Sequence, residues 1–159
     1  MTTNKTTILV VEDNAINRAV LGGILSPTYT VLEAENGREA LAILQEHKED
    51  ISLILLDIVM PGMDGFEVLR SVKKSNPQVQ VIILTGHGGD AEEQTAYRMG
   101  AYNFLKKPMD IDELLNSIRM AYRDKVENAM VAVSLAEGGD FDAAQDVLNE
   151  KDLLAEHKL

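Results

Sequence analysis

The sequence predicts an α/β fold: a doubly wound, five-stranded parallel sheet with a C-terminal helical extension. Three observations carry this. Short apolar runs alternate with helical patterns five times within about 120 residues, the order that builds a parallel sheet covered on both faces. The runs at 8–11, 51–56 and 79–84 are nearly continuous rather than alternating, which is how strands buried on both sides read. Residues 111–137 then contain neither Gly nor Pro and keep a helical apolar spacing past the last run.

The elements follow in order. The run at 8–11 is the first strand, and a helical pattern occupies 14–25, with Glu12-Asp13 as its candidate cap. A weaker strand at 29–32 precedes a helix over 37–46. The strand at 51–56 leads to a helix over 65–75, which Asn76-Pro77 stops because proline cannot continue it. The strand at 79–84 is followed by a helix over 91–99, opened by Asp90 with Glu93 as a capping box and closed by Gly100. A strand at 102–105 precedes a helix opened by Asp110 with Glu113. There the apolar residues Ile111, Leu115, Ile118, Tyr122, Val126, Ala129 and Val133 recur mostly three and four apart. This is one long helix, or two end to end with a bend near Asp124. Gly138-Gly139 breaks it, and a short amphipathic helix is expected from Phe141 to about 156. The expected division is 1–124 for the sheet domain and 125–159 for a helical hairpin.

Charge and composition exclude several classes. Fifteen Lys and Arg against 26 Asp and Glu leave a net charge of −11, which suits neither nucleic-acid backbones nor anionic membranes. There is no cysteine, hence no disulfide, thiolate metal site or Cys nucleophile. The N-terminus lacks signal-peptide architecture, and no apolar stretch approaches the roughly 20 residues that span a bilayer, so the expected address is the cytoplasm.

In a parallel sheet of this kind ligands gather at the carboxyl ends of the strands. Here those ends carry Glu12-Asp13, Asp57, Thr85-Gly86 and Lys106-Lys107-Pro108. Three carboxylates together repel one another, and a hard divalent cation or a lysine must compensate. An all-oxygen set suits Mg²⁺ with a phosphate partner better than Zn²⁺. A carboxylate can attack phosphorus to form an aspartyl phosphate, and such transfer needs chiefly positioning and charge neutralisation. The cation, Lys107 and the Thr85 hydroxyl are candidates for the three phosphoryl oxygens.

The strings V-V-E-D-N at 10–14, L-L-D-I-V-M-P-G-M-D-G at 55–65, I-L-T-G-H-G at 83–88 and G-A-Y-N-F-L-K-K-P at 100–108 stand in one order and spacing. Together they resemble the receiver domain of bacterial two-component response regulators, over about residues 6–124. The resemblance implies a flavodoxin-like sheet of strand order 2-1-3-4-5. It implies Asp57 as phosphoacceptor, with Thr85 and Lys107 assisting. Mg²⁺ would be held by Glu12, Asp13, Asp57 and the Val59 carbonyl. Thr85 and Phe104 would form the switch, with a cis Lys107–Pro108 bond and Lys106 as a surface neighbour. The implied partners are a histidine kinase or histidine phosphotransfer protein and an unnamed output protein. The domain would catalyse only its own phosphorylation and dephosphorylation.

The chain departs from the commonest pattern at Glu12 in place of Asp and at Phe104 in place of Tyr. Val59 offers no side-chain help to an attacking water, and it stands where a haloacid-dehalogenase-type phosphatase needs a second Asp. His87 could shade the site or orient a partner, though an ordinary loop role is the simpler reading, and Met60 and Met63 read as packing or partner-facing residues. Residues 125–159 carry 3 basic and 8 acidic residues, a net of −5, and are too short for a usual DNA-binding output domain. A-E-G-G-D-F-D-A-A-Q-D-V-L at 136–148 faintly resembles one hairpin of a tetratricopeptide-type repeat. Such a hairpin must pack on the sheet domain, on a second copy as a homodimer, or on a partner. A scaffold acting through the tail, or the receiver portion of a hybrid histidine kinase, are the alternative functional readings.

Overall fold

A computed structural model describes residues 5–60, 62, 64–86, 89–108 and 110–137, with side chains to residue 128. The expected hairpin beyond Glu137, together with His87 and Met63, lies outside the described residues. The elements run β1 (Thr7–Val11), α1 (Ala15–Leu25), β2 (Thr30–Ala34), α2 (Gly37–Glu46), β3 (Ile51–Leu56), α3 (Gly65–Ser75), β4 (Gln80–Thr85), α4 (Asp90–Arg98), β5 (Asn103–Lys106) and α5 (Ile111–Glu137). All strands are parallel, in the order β2-β1-β3-β4-β5.

The continuous apolar runs are explained by two cores. Successive side chains of a strand point to opposite faces. Ile8, Val10, Leu53, Leu55, Ile82 and Leu84 meet Leu21 and Leu25 of α1 and Leu114, Ile118 and Ala121 of α5. Leu9, Val11, Ile54, Leu56, Val81 and Ile83 meet α2, α3 and α4 on the other side. Ile51 sits on the same side as Ile54, off the alternation, because the β1–β3 register shifts between Thr7 and Ile8.

Several boundaries differ from expectation by one or two residues, for local reasons. Asn14, not Asp13, caps α1: its side chain accepts from the Ile16 and Asn17 N–H groups at 3.0 Å. That leaves Asp13 to the strand-end cluster. At α4 the closure falls one residue earlier than the Asp90–Glu93 box. Asp90 is already helical, and Glu92 accepts from the Gly89 N–H at 2.8 Å. At α5 the Asp110 side chain accepts from the Asp112 N–H at 2.7 Å. Gly100 takes φ +100, which closes α4 in a conformation other residues avoid. The last helix is single and runs through Asp124 to Glu137 as one element.

Candidate functional site

Strand pairing carries on one residue past the sheet, and this assembles the site. The Asp57 N–H donates to the Val11 carbonyl at 3.1 Å and the Glu12 N–H to the Ala34 carbonyl at 3.0 Å, so the residues after β3 and β1 sit side by side. The Lys107 N–H donates to the Thr85 carbonyl at 2.8 Å, which extends the β4–β5 edge in the same way. The Lys107–Pro108 peptide is cis.

Carboxylate oxygens of Glu12, Asp13 and Asp57 lie within 4.8 Å of one another. Glu12 is 2% exposed and Asp57 9%, while Asp13 faces solvent. The Lys107 Nζ reaches across from β5, 2.5 Å from Glu12 Oε1 and 3.5 Å from Asp57 Oδ2. The Val59 N–H donates to Asp57 Oδ1 at 3.0 Å and fixes that carboxylate's orientation. Burial pushes the Asp57 carboxyl up, and the Glu12 charge adds to this; the Val59 N–H and Lys107 oppose it without reversing it. Burial pushes Glu12 up as well. There the Lys107 hydrogen bond and charge outweigh burial and hold its pKa below the ordinary value.

One lysine does not neutralise three carboxylates. Glu12 Oε2 is buried without a hydrogen-bond partner, an arrangement that costs free energy unless something positive arrives. Hard oxygen donors, open to water on the Asp13 side, fit a divalent cation such as Mg²⁺.

The remaining residues singled out from the sequence occupy two levels. Thr85 is fully buried as the last residue of β4, on the same carboxyl edge of the sheet as the acids. Phe104 lies lower in β5, opposite Ile83, and is 5% exposed in the core shared with Tyr97. Lys106 is exposed, and Met60 packs in the core.

Three features were not read from the sequence. Tyr97 of α4 donates to Asn103 Oδ1 at 2.9 Å, and Asn103 Nδ2 donates to Ser117 Oγ of α5 at 2.9 Å, a polar chain across β5. Gly65 packs its backbone against the loop that carries Asp57. Arg18 donates to the Glu12 carbonyl at 2.8 Å. Gly65 and Asn103 lie inside the strings quoted above, at 55–65 and 100–108; Tyr97, Ser117 and Arg18 lie in none of them.

Comparison with known proteins agrees with this geometry. The response regulator receiver domain profile matches residues 8–119. The chain is 35% identical over 113 residues to sporulation initiation phosphotransferase F of Bacillus subtilis (strain 168), a match covering 70% of this chain and 90% of that protein. It is also 35% identical over 121 residues to a cyclic di-GMP phosphodiesterase of Thermotoga maritima, covering 76% of this chain but 32% of that protein. It likewise spans about a quarter and a third of two other curated relatives. A solved response regulator receiver domain protein from Clostridium thermocellum superposes with a TM-score of 0.73 at 33% identity, covering 76% of this chain and 96% of that one. With the sheet order, the acidic strand ends and the lysine after β5 in place, the chain belongs to the response regulator receiver domain family.

Proposed function

We propose that the protein is a phosphorylation switch in two-component signalling that accepts a phosphoryl group on Asp57, with Mg²⁺, from a histidine kinase or histidine phosphotransfer protein. The observation that carries this reading is the convergence of Glu12, Asp13, Asp57 and Lys107 at adjacent strand ends. An Asp57 carboxylate oxygen attacks phosphorus, the bond from phosphorus to the donor's imidazole nitrogen breaks, and the electron pair leaves with the imidazole. Glu12, Asp13, Asp57 and the Val59 carbonyl would hold Mg²⁺, which when bound supplies charge neutralisation for the phosphoryl oxygens. Lys107 sits within reach of a second phosphoryl oxygen, and the Thr85 hydroxyl, on the same edge, serves the third. Val59 brings no acid–base group, which suits a phosphorylated state that persists over one that turns over external substrates.

The switch reads out through packing. A new contact at Thr85 changes the space beside β5, where Phe104 and the Tyr97–Asn103–Ser117 chain join α4, β5 and α5. Phosphorylation then shifts the population between two packings of that face, and the face engages an output protein. The donor docks on the face bordering the site. There α1 exposes Ile16 and Val20, α5 exposes Ile111, and a groove of about 500 Å³ runs between the two helices, with Lys107 and Pro108 at its edge. Tyr122 and Val126 are exposed further along α5, at the junction with the extension, and offer a surface for a second copy of the chain.

The test is phosphorylation by acetyl phosphate with and without Mg²⁺, read by intact mass on the wild type and Asp57→Asn. One phosphoryl group gained only with Mg²⁺ and lost in the variant supports the reading. Incorporation that ignores Mg²⁺ or survives Asp57→Asn contradicts it.

A further inference from the structure

We infer that Arg18 is a positioning residue for the cation site, acting through the backbone of the turn that carries Glu12 and Asp13. This rests on the Mg²⁺ reading above and extends it to a residue that supplies no ligand atom. Arg18 lies one turn into α1, yet its side chain is only 18% exposed and turns back over the start of its own helix. Nη1 donates to the Glu12 carbonyl at 2.8 Å, and Nη2 stands 4.0 Å from Glu35 Oε2 in the turn after β2.

Apart from the Lys107 contact on the Glu12 side chain, the Glu12–Asp13 turn is restrained at its two ends. Glu12 is tied through its N–H to Ala34, and Asn14 directs its side chain forward into α1. The carbonyl between those anchors belongs to the peptide that joins two of the three clustered carboxylates. A change of ψ at Glu12, which that carbonyl's hydrogen bond resists, would move Asp13 relative to Glu12 and Asp57. A guanidinium clamps it because a charged donor makes a short, strong hydrogen bond, and its planar fork can reach Glu12 and Glu35 together. The clamp makes the site ready before the cation arrives, as outer-shell partners do at other metal sites.

The experiment measures Mg²⁺ affinity by calorimetry on the unphosphorylated full chain, with the melting temperature in EDTA alongside. It compares wild type, Arg18→Met and Arg18→Lys. The rate of phosphorylation by acetyl phosphate against Mg²⁺ concentration is measured on the same proteins. Arg18→Met is expected to weaken Mg²⁺ binding by about tenfold. The half-saturating Mg²⁺ in the phosphorylation assay should rise in step, with the maximal rate recovered at high Mg²⁺. Arg18→Lys, which keeps the charge but not the fork, should fall between. Unchanged Mg²⁺ affinity with a lower melting temperature would make Arg18 a structural brace and overturn the inference. If Arg18→Met does not fold, Arg18→Lys decides by the same criterion. A wild type that binds no Mg²⁺ would instead remove the reading on which the inference rests.

Discussion

Asp57 and Glu12 face the same desolvation and answer it in opposite directions, and this has consequences for stability. Asp57 has its pKa raised by burial, so between the unfolded carboxylate pKa and its higher folded one the native state binds more protons than the unfolded chain. Its ionisation therefore subtracts stability as pH rises through that window, and the full cost is present above the folded pKa. Glu12 has its pKa lowered once Lys107 outweighs burial, so it adds stability above the unfolded value and loses it as pH falls through its lower folded pKa. Asp57→Asn is thus expected to raise the melting temperature at pH 7 in EDTA. The gain should shrink as pH drops through the folded Asp57 pKa, where the wild type is already neutral. Adding Mg²⁺ should reverse the order, since a ligand that binds only the folded wild type stabilises it by mass action. Thermal scans of both proteins at several pH values, with EDTA and with Mg²⁺, check this; a variant that melts below wild type at pH 7 in EDTA would contradict it.

At the scale of elements, the site depends on how α3 and α1 meet the strand ends. A Cβ on Gly65 would run into the Ile58 Cα and come within 2.7 Å of the Asp57 carbonyl oxygen, so α3 can begin here only on glycine. Gly65→Ala should cost about 2–3 kcal/mol in urea unfolding and slow phosphorylation by displacing the Asp57 backbone. Equal stability and rate would show that the loop yields. On α1, Val20 is 55% exposed, so Val20→Asp should leave folding and acetyl phosphate reactivity unchanged. It should slow transfer from a protein donor by about tenfold if that surface holds a central contact. These elements also show what could be read in advance. The strands buried on both faces announced themselves because nearly every residue had to be apolar, and the strand-end residues were readable because they directly follow those runs. β2 runs over Thr30–Ala34 rather than the expected 29–32 because an edge strand tolerates the exposed Glu33. The α4 cap is Gly89 rather than the expected Asp90 because the acidic first turn, Asp90, Glu92 and Glu93, offers two residues able to close a box. The Tyr97–Asn103–Ser117 chain joins three consecutive elements through side chains whose spacing follows neither a helix nor a strand period, so no local pattern marks it.

At the scale of the whole molecule, the sheet domain and its last helix differ in length. The strands hold four to six residues, so none exceeds about 20 Å. The 27 residues of α5 reach about 40 Å. The first half of α5 is bound into the fold. Leu114, Ile118 and Ala121 pack on the sheet, Gln80 Nε2 donates to the Ala121 carbonyl at 3.3 Å, and the Tyr102 hydroxyl donates to Asp124 Oδ2 at 2.6 Å. Past Asp124 the helix outruns the strands, and Val126 is exposed. Burial lowers the Lys125 pKa, which shows that the continuation is not wholly solvated at its start. A chain ending at 124 keeps every group of the acidic site and every tie named above. It is expected to unfold in one cooperative transition a few degrees below the full chain and to take up one phosphoryl group with Mg²⁺ as before. Circular dichroism melting and intact mass on the two lengths measure both. A truncated chain that does not fold would place residues beyond Asp124 in the core, and the two-part division at 124 would be abandoned. A truncated chain that folds and is phosphorylated leaves the extension free to serve contacts with other molecules.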